Sequence, residues 1–350
     1  MISSPRFLSP SEAAKRLGIS AKALRLYERR GLIDPGRSAA GWRVYGPDEM
    51  TRASEIVALR RLGLSLAQVA RVLDGNAEDL EAALAAHQAA LEGEIRRLAG
   101  TVETVRALRA DLVRGQAPSA GDLTRLLGPA DDLSVAFALP WPWGGEQFEL
   151  NDIRPLNYII GPLGSGKTRL ARRLAKTLPD AAFLGLDRLA GDGAAASRAR
   201  LGTDPALRSR VDRSLAWLGE EGATLSDALL ILLVSLEAEG PAILIVDMVE
   251  QGLDQATQEA LISLLRQRSA TGKRRLFLLT RSSAILDLAA VGASEAIILC
   301  PANHSPPSRV AAFPGAPGYE AVATCLASPE VRARTEGVVA WRPAEIARSG

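Results

Sequence analysis

A glycine-rich segment predicts the main chemistry of the chain. Residues 161–168 read Gly-Pro-Leu-Gly-Ser-Gly-Lys-Thr, directly after the apolar run Leu156–Ile160 and before a helical pattern. In this setting the motif predicts a phosphate-binding loop, because its glycines let backbone N–H groups face phosphate oxygens. Lys167 would reach the outer phosphates and Thr168 would bind Mg²⁺. The alternative is a glycine-rich turn without a ligand. The predicted ATP-binding residues here are Gly161, Pro162, Leu163, Gly164, Ser165, Gly166, Lys167 and Thr168.

A second apolar run, Ala242–Asp247, ends in a carboxylate that would complete the Mg²⁺ site together with Thr168. The segments downstream and upstream of it resemble those of ABC-type ATPases, especially the branch of OLD-type and RecF-like proteins. The resemblance implies an α/β P-loop NTPase domain, with Ser226 in the signature that contacts nucleotide. The segments that carry it are Thr224–Ala228, Met248–Asp254 and Thr280–Asp287.

Two departures from that pattern bear on catalysis. Met248 stands where the family has the glutamate that activates water, and a thioether cannot take a proton. Arg281 stands where the family has a histidine, and would either stabilise phosphate charge or form a surface ion pair. Glu250 is the alternative catalytic residue, unless it is an exposed loop carboxylate. Asp227 and Ala228 also replace signature glycines, so we expect slow or no hydrolysis and at most a weak ATPase.

The N-terminal segment has the punctuation of a helix-turn-helix. Ser9, Pro10 and Glu12 form the pattern of a capping box with proline in the first turn. Ser20 would cap a second helix, which carries several basic residues and enters a major groove in this class of motif. A turn-rich segment, residues 34–45, predicts a β wing. The cations of this helix and wing, Lys22 among them, suit contact with phosphates; alternatively the cations are merely solvated and Tyr27 and Tyr45 belong to the core.

This segment resembles the MerR family of transcription regulators through Ala23–Ile33, Gly41–Tyr45 and Leu59–Leu66. The resemblance implies a dimer that bends and untwists promoter DNA, with double-stranded promoter DNA and RNA polymerase as partners. It also implies the predicted DNA contacts, which together with Lys22 are Arg25, Tyr27, Arg37, Arg43 and Tyr45. Departures at Ala23, Leu26 and Trp42 leave the operator sequence open.

A long charged helix is predicted from Asp79 to Arg114. Its apolar residues recur on two positions of a seven-residue repeat, which favours a coiled coil and a homodimer over a helix packed on its own domain. Metal-sensing members of the family have cysteines near the end of this helix; here the cysteines are Cys300 and Cys325, which argues against metal sensing.

The length of 350 residues, with 47% hydrophobic and 23% charged residues, predicts several folded domains. We expect a winged helix-turn-helix domain over 1–76, a coiled-coil helix over 77–115, a linker over 116–147 and an ABC-like ATPase domain over 148–350. The absence of a signal or membrane-spanning pattern predicts a cytoplasmic protein without membrane contact.

Together these features predict a MerR-type regulator whose promoter activity is modulated by ATP. The alternative functions are a DNA-targeted ATPase in which hydrolysis is the main activity, and a small-molecule kinase.

Overall fold

The computed structural model describes residues 7–117, 133–269 and 274–331. Its N-terminal part is helical, with a two-stranded antiparallel wing inserted after the second helix. These elements confirm the predicted helix-turn-helix and the wing. Their bounds are α1 Pro10–Leu17, α2 Ala21–Arg29, β1 Gly36–Arg37, β2 Arg43–Val44, α3 Pro47–Arg61 and α4 Leu66–Leu73.

Local hydrogen bonds explain where these helices begin and end. The Ser9 hydroxyl accepts from the Glu12 N–H, and the Glu12 carboxylate accepts from the Ser9 N–H, which is the predicted capping box. Gly18 ends α1 in the left-handed conformation at φ +67°, and Ser20 then caps α2. The two helices are thereby held at a fixed angle around a shared core that includes Leu24.

The predicted long helix is α5, Glu78–Val113, a single element of 36 residues. At a rise of about 1.5 Å per residue it is roughly 54 Å long, far longer than the small domain beside it can cover. Accordingly, a series of large apolar side chains remains about half exposed along it. These are Leu84, Leu91, Ile95, Leu98, Val102 and Leu112.

The C-terminal half is an α/β domain, in which helices cover both faces of a mixed sheet. Its strands are β3 Val135–Ala138, β4 Gln147–Leu150, β5 Leu156–Ile160, β6 Ala181–Leu184, β7 Ile243–Val246, β8 Arg275–Leu279, β9 Glu295–Leu299 and β10 Ser308–Val310. Its helices are α6 Lys167–Thr177, α7 Gly193–Thr203, α8 Pro205–Glu220, α9 Asp227–Glu237, α10 Gln255–Ser269 and α11 Tyr319–Cys325.

The main sheet has the order β10-β9-β5-β8-β7-β6, and every pair is parallel except β10 with β9. The carboxyl ends of β5, β8 and β7 therefore lie side by side at one edge, where parallel α/β sheets commonly bind ligands. The strands are buried on both faces, which explains their continuous apolar sequences. One core lies against α8, α9 and α10, and the other against α6 and the β3–β4 hairpin.

Ordered structure begins earlier than predicted in this half. Residues 116–147 were expected to be a linker, but β3 pairs with β4 within and beyond that range, and Phe137 and Trp143 are buried. Residues 118–132 of the expected linker lie outside the described residues. The alternation of Val135, Phe137 and Leu139 with less buried residues marks a half-buried strand. This alternating pattern is short, and the surrounding Pro and Gly residues are typical of loops, so the sequence did not predict the strand.

Among the helices of the described ranges, none combines the length and the hydropathy needed to cross a bilayer.

Candidate functional site

The glycine-rich segment forms a tight loop between β5 and α6, as its sequence predicted. Gly164 and Gly166 have φ values of +81° and +90°, which favour glycine because a Cβ would be strained there. Helix α6 begins at Lys167 without a side-chain cap on its N-terminal N–H groups. An uncapped helix N-terminus with its positive dipole end is suited to binding an anion.

The lysine of this loop is folded back onto the loop itself. Its Nζ donates hydrogen bonds to the carbonyl oxygens of Gly161 at 2.7 Å and of Pro162 at 2.6 Å. Burial lowers the pKa of Lys167, and the nearby Arg281 cation acts in the same direction. The ammonium group is thus bonded to two carbonyl oxygens of the loop, and a phosphate anion would add a charged partner.

Two predicted Mg²⁺ ligands, Thr168 and Asp247, come together at the sheet edge. The Thr168 hydroxyl donates to Asp247 Oδ2 at 2.9 Å, and Asp247 is buried. The described residues contain no cluster of three or more His, Cys, Asp or Glu side chains that would bind a metal alone. A cation here would therefore take its remaining ligands from water and from the anion in the loop.

The backbone after Asp247 is held in an unusual conformation. Met248 has a φ of +44°, which a side chain of this size rarely adopts. The Arg188 guanidinium donates to the carbonyl oxygens of Asp247 at 2.7 Å and of Met248 at 2.8 Å. Sequence reasoning missed Arg188, because no motif links the end of β6 to the end of β7. The strained residue stands at the position where the ABC pattern has its catalytic glutamate.

Glu250 is buried rather than an exposed loop carboxylate, so that alternative is wrong. Its Oε1 accepts a hydrogen bond from the backbone N–H of Arg281 at 3.0 Å, which joins the loops after β7 and β8. Arg281 itself is half-buried, and its charge is felt at Lys167. Glu250 therefore links two loops of the site.

An aromatic segment before β4 also lies against the glycine-rich loop. A Cβ added to Gly166 would come within 2.6 Å of the Trp143 ring. The indole N–H of Trp143 donates to the Ser305 carbonyl at 3.0 Å, and the Arg169 guanidinium lies 4.2 Å from the centre of the Trp141 ring. Trp141 is 68% exposed and offers a flat face beside the loop. The sequence signal was the pair of tryptophans in a segment expected to be linker.

Ser226 caps α9 by accepting a hydrogen bond from the Leu229 N–H at 3.2 Å. The next residue, Asp227, forms an ion pair with Arg198 on α7. The described contacts of Ser226 thus account for a structural role, and its predicted role toward nucleotide stays a prediction.

The predicted DNA-contacting cations differ in their surroundings. Arg25 and Arg37 are exposed, and Arg37 donates to the Gly41 carbonyl within the wing. The Nε–H of Arg43 donates to both carboxylate oxygens of Glu28, at 2.7 and 2.8 Å. Lys22 lies 3.1 Å from Glu259 of the C-terminal half. The first three remain accessible at one side of the domain, whereas Lys22 has a protein partner.

The two predicted DNA-contacting tyrosines belong to the core of the domain, which was the alternative left open. Tyr45 has no exposed surface and Tyr27 is 5% exposed. Burial raises the pKa of both phenols. A side chain without exposed surface cannot contact a phosphate, so the prediction of DNA contact is wrong for Tyr45. Tyr27 has almost no exposed surface with which to make such a contact.

Comparison with known proteins assigns the N-terminal part. The family model described as "MerR HTH family regulatory protein" matches residues 8–76. A probable heavy metal-dependent transcriptional regulator of Haemophilus influenzae is 36% identical over 103 residues, which cover 27% of this chain and 80% of that protein. The transcriptional regulator HmrR of Sinorhizobium medicae is 33% identical over 104 residues, which cover 28% of this chain and 71% of that protein.

Two solved structures resemble parts of the chain. The MerR family regulator HiNmlR, bound to promoter DNA, is 22% identical with a TM-score of 0.24, covering 32% of this chain and 92% of that one. A putative metal-chelate type ABC transporter is 16% identical with a TM-score of 0.37, covering 52% of this chain and 83% of that one. With TM-scores this low, neither similarity defines the fold of the C-terminal half.

The winged helix-turn-helix, the family model and the two sequence relatives define a transcription regulator that binds DNA. The chain belongs to the MerR family of helix-turn-helix regulatory proteins. Its α/β C-terminal half lies outside the part that these relatives share.

Proposed function

We propose that the protein is a MerR-type regulator whose promoter activity depends on Mg²⁺-ATP bound in its C-terminal domain. The observation that carries the proposal is the contact of Thr168 with Asp247 beside the uncapped N-terminus of α6. A hydroxyl, a carboxylate and an ammonium group close to a helix N-terminus support the binding of nucleotide phosphates and their cation. The phosphates of ATP would supply an anionic partner for Lys167, whose ammonium group donates to two loop carbonyls.

The residues present fit such a ligand. The Ser165 hydroxyl is buried in the loop and has no hydrogen-bond partner among the described residues, so a phosphate oxygen would satisfy it. The exposed face of Trp141 is available for stacking with a nucleobase. Gly164 has open space where a Cβ would lie, so the backbone there is accessible to close approach by a phosphate.

Hydrolysis is expected to be slow, because Met248 cannot act as a general base. Glu250 has its Oε1 engaged by the Arg281 backbone and so acts in positioning the two loops. The nucleotide would then stay bound and act as a regulatory ligand, and its hydrolysis would not drive the activity.

The regulator is expected to act as a homodimer through α5. Its exposed apolar residues, such as Leu91 and Ile95, form one seam of the length and spacing that a second copy would cover. A two-fold dimer suits a palindromic operator, and RNA polymerase would read the resulting change in promoter geometry.

The test is transcription from the regulator's promoter with and without Mg²⁺-ATP, for the wild type and for Lys167→Ala. The expected result is an output that changes with ATP for the wild type and not for the variant. Thr177→Ala, at the exposed end of α6, is the matched control and should behave as wild type. Equal output with and without ATP in all three proteins would contradict the proposal.

The alternative function, a DNA-targeted ATPase, predicts a different measurement. Its supporting observation is the burial of Glu250 at the edge of the site. DNA-stimulated turnover that is lost in Glu250→Gln would favour it over the regulator.

A further inference from the structure

The second helix of the helix-turn-helix has one side in the core and the other side against the C-terminal half. Leu24 and Tyr27 are buried in the N-terminal core. Lys22 and Arg29 lie two helical turns apart and thus share a side of the helix. Both of them contact the same carboxylate, that of Glu259 on α10.

These contacts are specific. Lys22 Nζ lies 3.1 Å from Glu259 Oε1 and also donates to the Ser283 carbonyl at 3.4 Å. Arg29 Nη2 lies 3.6 Å from Glu259 Oε2. Around them, Ala23 of α2 lines one cavity together with Ile262 and other residues of the C-terminal half. The side of α2 that carries Lys22 is therefore partly covered by the C-terminal half.

A second group of contacts joins the end of α8 to α3 and α4. Glu221 is buried and accepts from Arg60 Nη1 at 2.6 Å and from the Leu66 N–H at 2.5 Å. Its backbone carbonyl accepts from the guanidinium of Arg30, which directly follows α2. The Ser65 hydroxyl donates to Glu220 at 2.5 Å. A buried carboxylate is costly unless it is paired, so this surface of the C-terminal half requires a basic partner.

Lys22 is one of the predicted DNA contacts on α2, so DNA would need a side chain that Glu259 already binds. The major groove is about 12 Å wide and admits one helix, not a helix together with a protein domain on its outer side. The phosphates of a duplex would also compete for the same cations. The docked arrangement and groove insertion of α2 are thus mutually exclusive.

We propose that Glu220, Glu221 and Glu259 form an acidic docking surface that binds the N-terminal domain, with Glu259 on its DNA-reading helix, in place of DNA. Duplex DNA binds only when the two halves separate. The occupant of the surface is the N-terminal domain of the same chain, and its chemistry is the basic side of α2 with the adjoining Arg30 and Arg60.

The docking surface is also connected to the candidate nucleotide site; this part rests on the proposed function. Glu250 accepts from the Arg281 N–H, and the neighbouring Ser282 hydroxyl donates to Gln258 at 2.6 Å. Lys22 contacts Glu259 and Ser283. Gln258 directly precedes Glu259, and Ser282 directly precedes Ser283. A ligand that shifts the loops after β7 and β8 would change the docking equilibrium, provided that it binds the two states with different affinity.

The first experiment measures DNA affinity without nucleotide. The probe is a duplex selected by the full-length protein from a random-sequence pool. Glu259→Gln removes the charge that Lys22 and Arg29 share, and we expect it to bind this duplex about three- to tenfold more tightly than wild type, as for loss of one or two partly exposed ion pairs. Glu55→Gln, on α3 and paired with Arg52, is the control and should bind as wild type.

The second experiment detects docking directly. A carbodiimide couples an amine to a carboxylate only when they are in contact, so the full-length protein should give a Lys22–Glu259 cross-link that mass spectrometry identifies. Saturating duplex should abolish this cross-link. A cross-link that persists in the DNA complex, or an affinity of Glu259→Gln equal to that of wild type, would overturn the docking surface.

The nucleotide arm separates the two proposals. Tighter DNA binding by Glu259→Gln with no effect of Mg²⁺-ATP on either protein would retain the docking surface and overturn the proposed function. An effect of Mg²⁺-ATP on the wild type, lost in Lys167→Ala, together with an unchanged Glu259→Gln, would retain the proposed function and overturn the docking surface.

Discussion

The hydroxyl of Thr168 lies 2.9 Å from Asp247 Oδ2, although the two residues belong to different βα connections of the sheet. The order of the strands brings them together, because β8 alone separates β5 from β7. Two oxygen ligands at this distance hold each other in place before a cation arrives.

Asp247→Asn should weaken binding of Mg²⁺-ATP about tenfold or more, because the amide removes an anionic ligand of the cation while preserving the shape of the side chain. Binding of ATP in EDTA should change much less. Calorimetry with and without Mg²⁺ measures both, and Thr177→Ala serves as the control. An equal loss in the presence and absence of Mg²⁺ would argue against a cation at this site.

The affinity for ATP should depend on pH through Lys167. Burial lowers the pKa of Lys167 in the free protein, whereas a bound phosphate would raise it, so the complex holds its proton more tightly. Affinity is therefore complete below the lowered pKa of Lys167 in the free protein, and it declines as the pH rises through that pKa toward the higher pKa of Lys167 in the complex. Arg281→Gln removes a neighbouring charge and should move the decline to higher pH. Calorimetric titrations across this range would show it; a decline at the same pH in both proteins would contradict it.

Trp141→Ala should weaken ATP binding by about 1–3 kcal/mol, the usual contribution of stacking between a base and an aromatic ring. The same change should remove most of the tryptophan fluorescence response to ATP. Trp42→Ala, at the exposed tip of the wing, should bind ATP as the wild type does. If Trp141→Ala retained full affinity, the indole would have no part in holding the base.

Replacing Leu91 and Ile95 together by glutamate should convert the dimer to a monomer, because the two charges would lie in the apolar seam of α5. DNA affinity should fall with it, since one subunit then contacts a single half-site. Light scattering after gel filtration measures the mass. Thr104→Glu, on another side of the same helix, should remain dimeric. A dimer in both variants would place the interface elsewhere.

Tyr45→Phe should leave DNA affinity unchanged and stability within about 1 kcal/mol of the wild type, because the buried hydroxyl has no hydrogen-bond partner among the described residues. Arg25→Ala should instead weaken DNA binding and reduce its salt dependence by about one unit of slope. Denaturant unfolding and fluorescence anisotropy measure the two effects. A loss of DNA affinity in Tyr45→Phe would restore the tyrosine as a contact.

The local elements were predictable because their signals are local. The caps at Ser9 and Ser20 determine where α1 and α2 begin. The glycines of residues 161–168 adopt the positive φ values that the phosphate-binding loop requires. Burial of Tyr45 was not predictable, since an aromatic residue among cations suits a core as well as a surface. The contact of Lys22 with Glu259 joins residues that are far apart in the chain, and the local sequence patterns used for prediction carry no information about such a contact.

The ion pairs of Glu259 are individually weak, since the Arg29 side chain remains 60% exposed. Within one polypeptide, however, the acidic and basic surfaces meet at an effective concentration that the length and stiffness of the connection between them determine. Weak ion pairs thus suffice to keep α2 docked, and small changes in the loops that they contact suffice to release it. Because added salt weakens both the internal pairing and the pairing with phosphates, the intact regulator should tolerate changes in ionic strength better than its cation count alone implies.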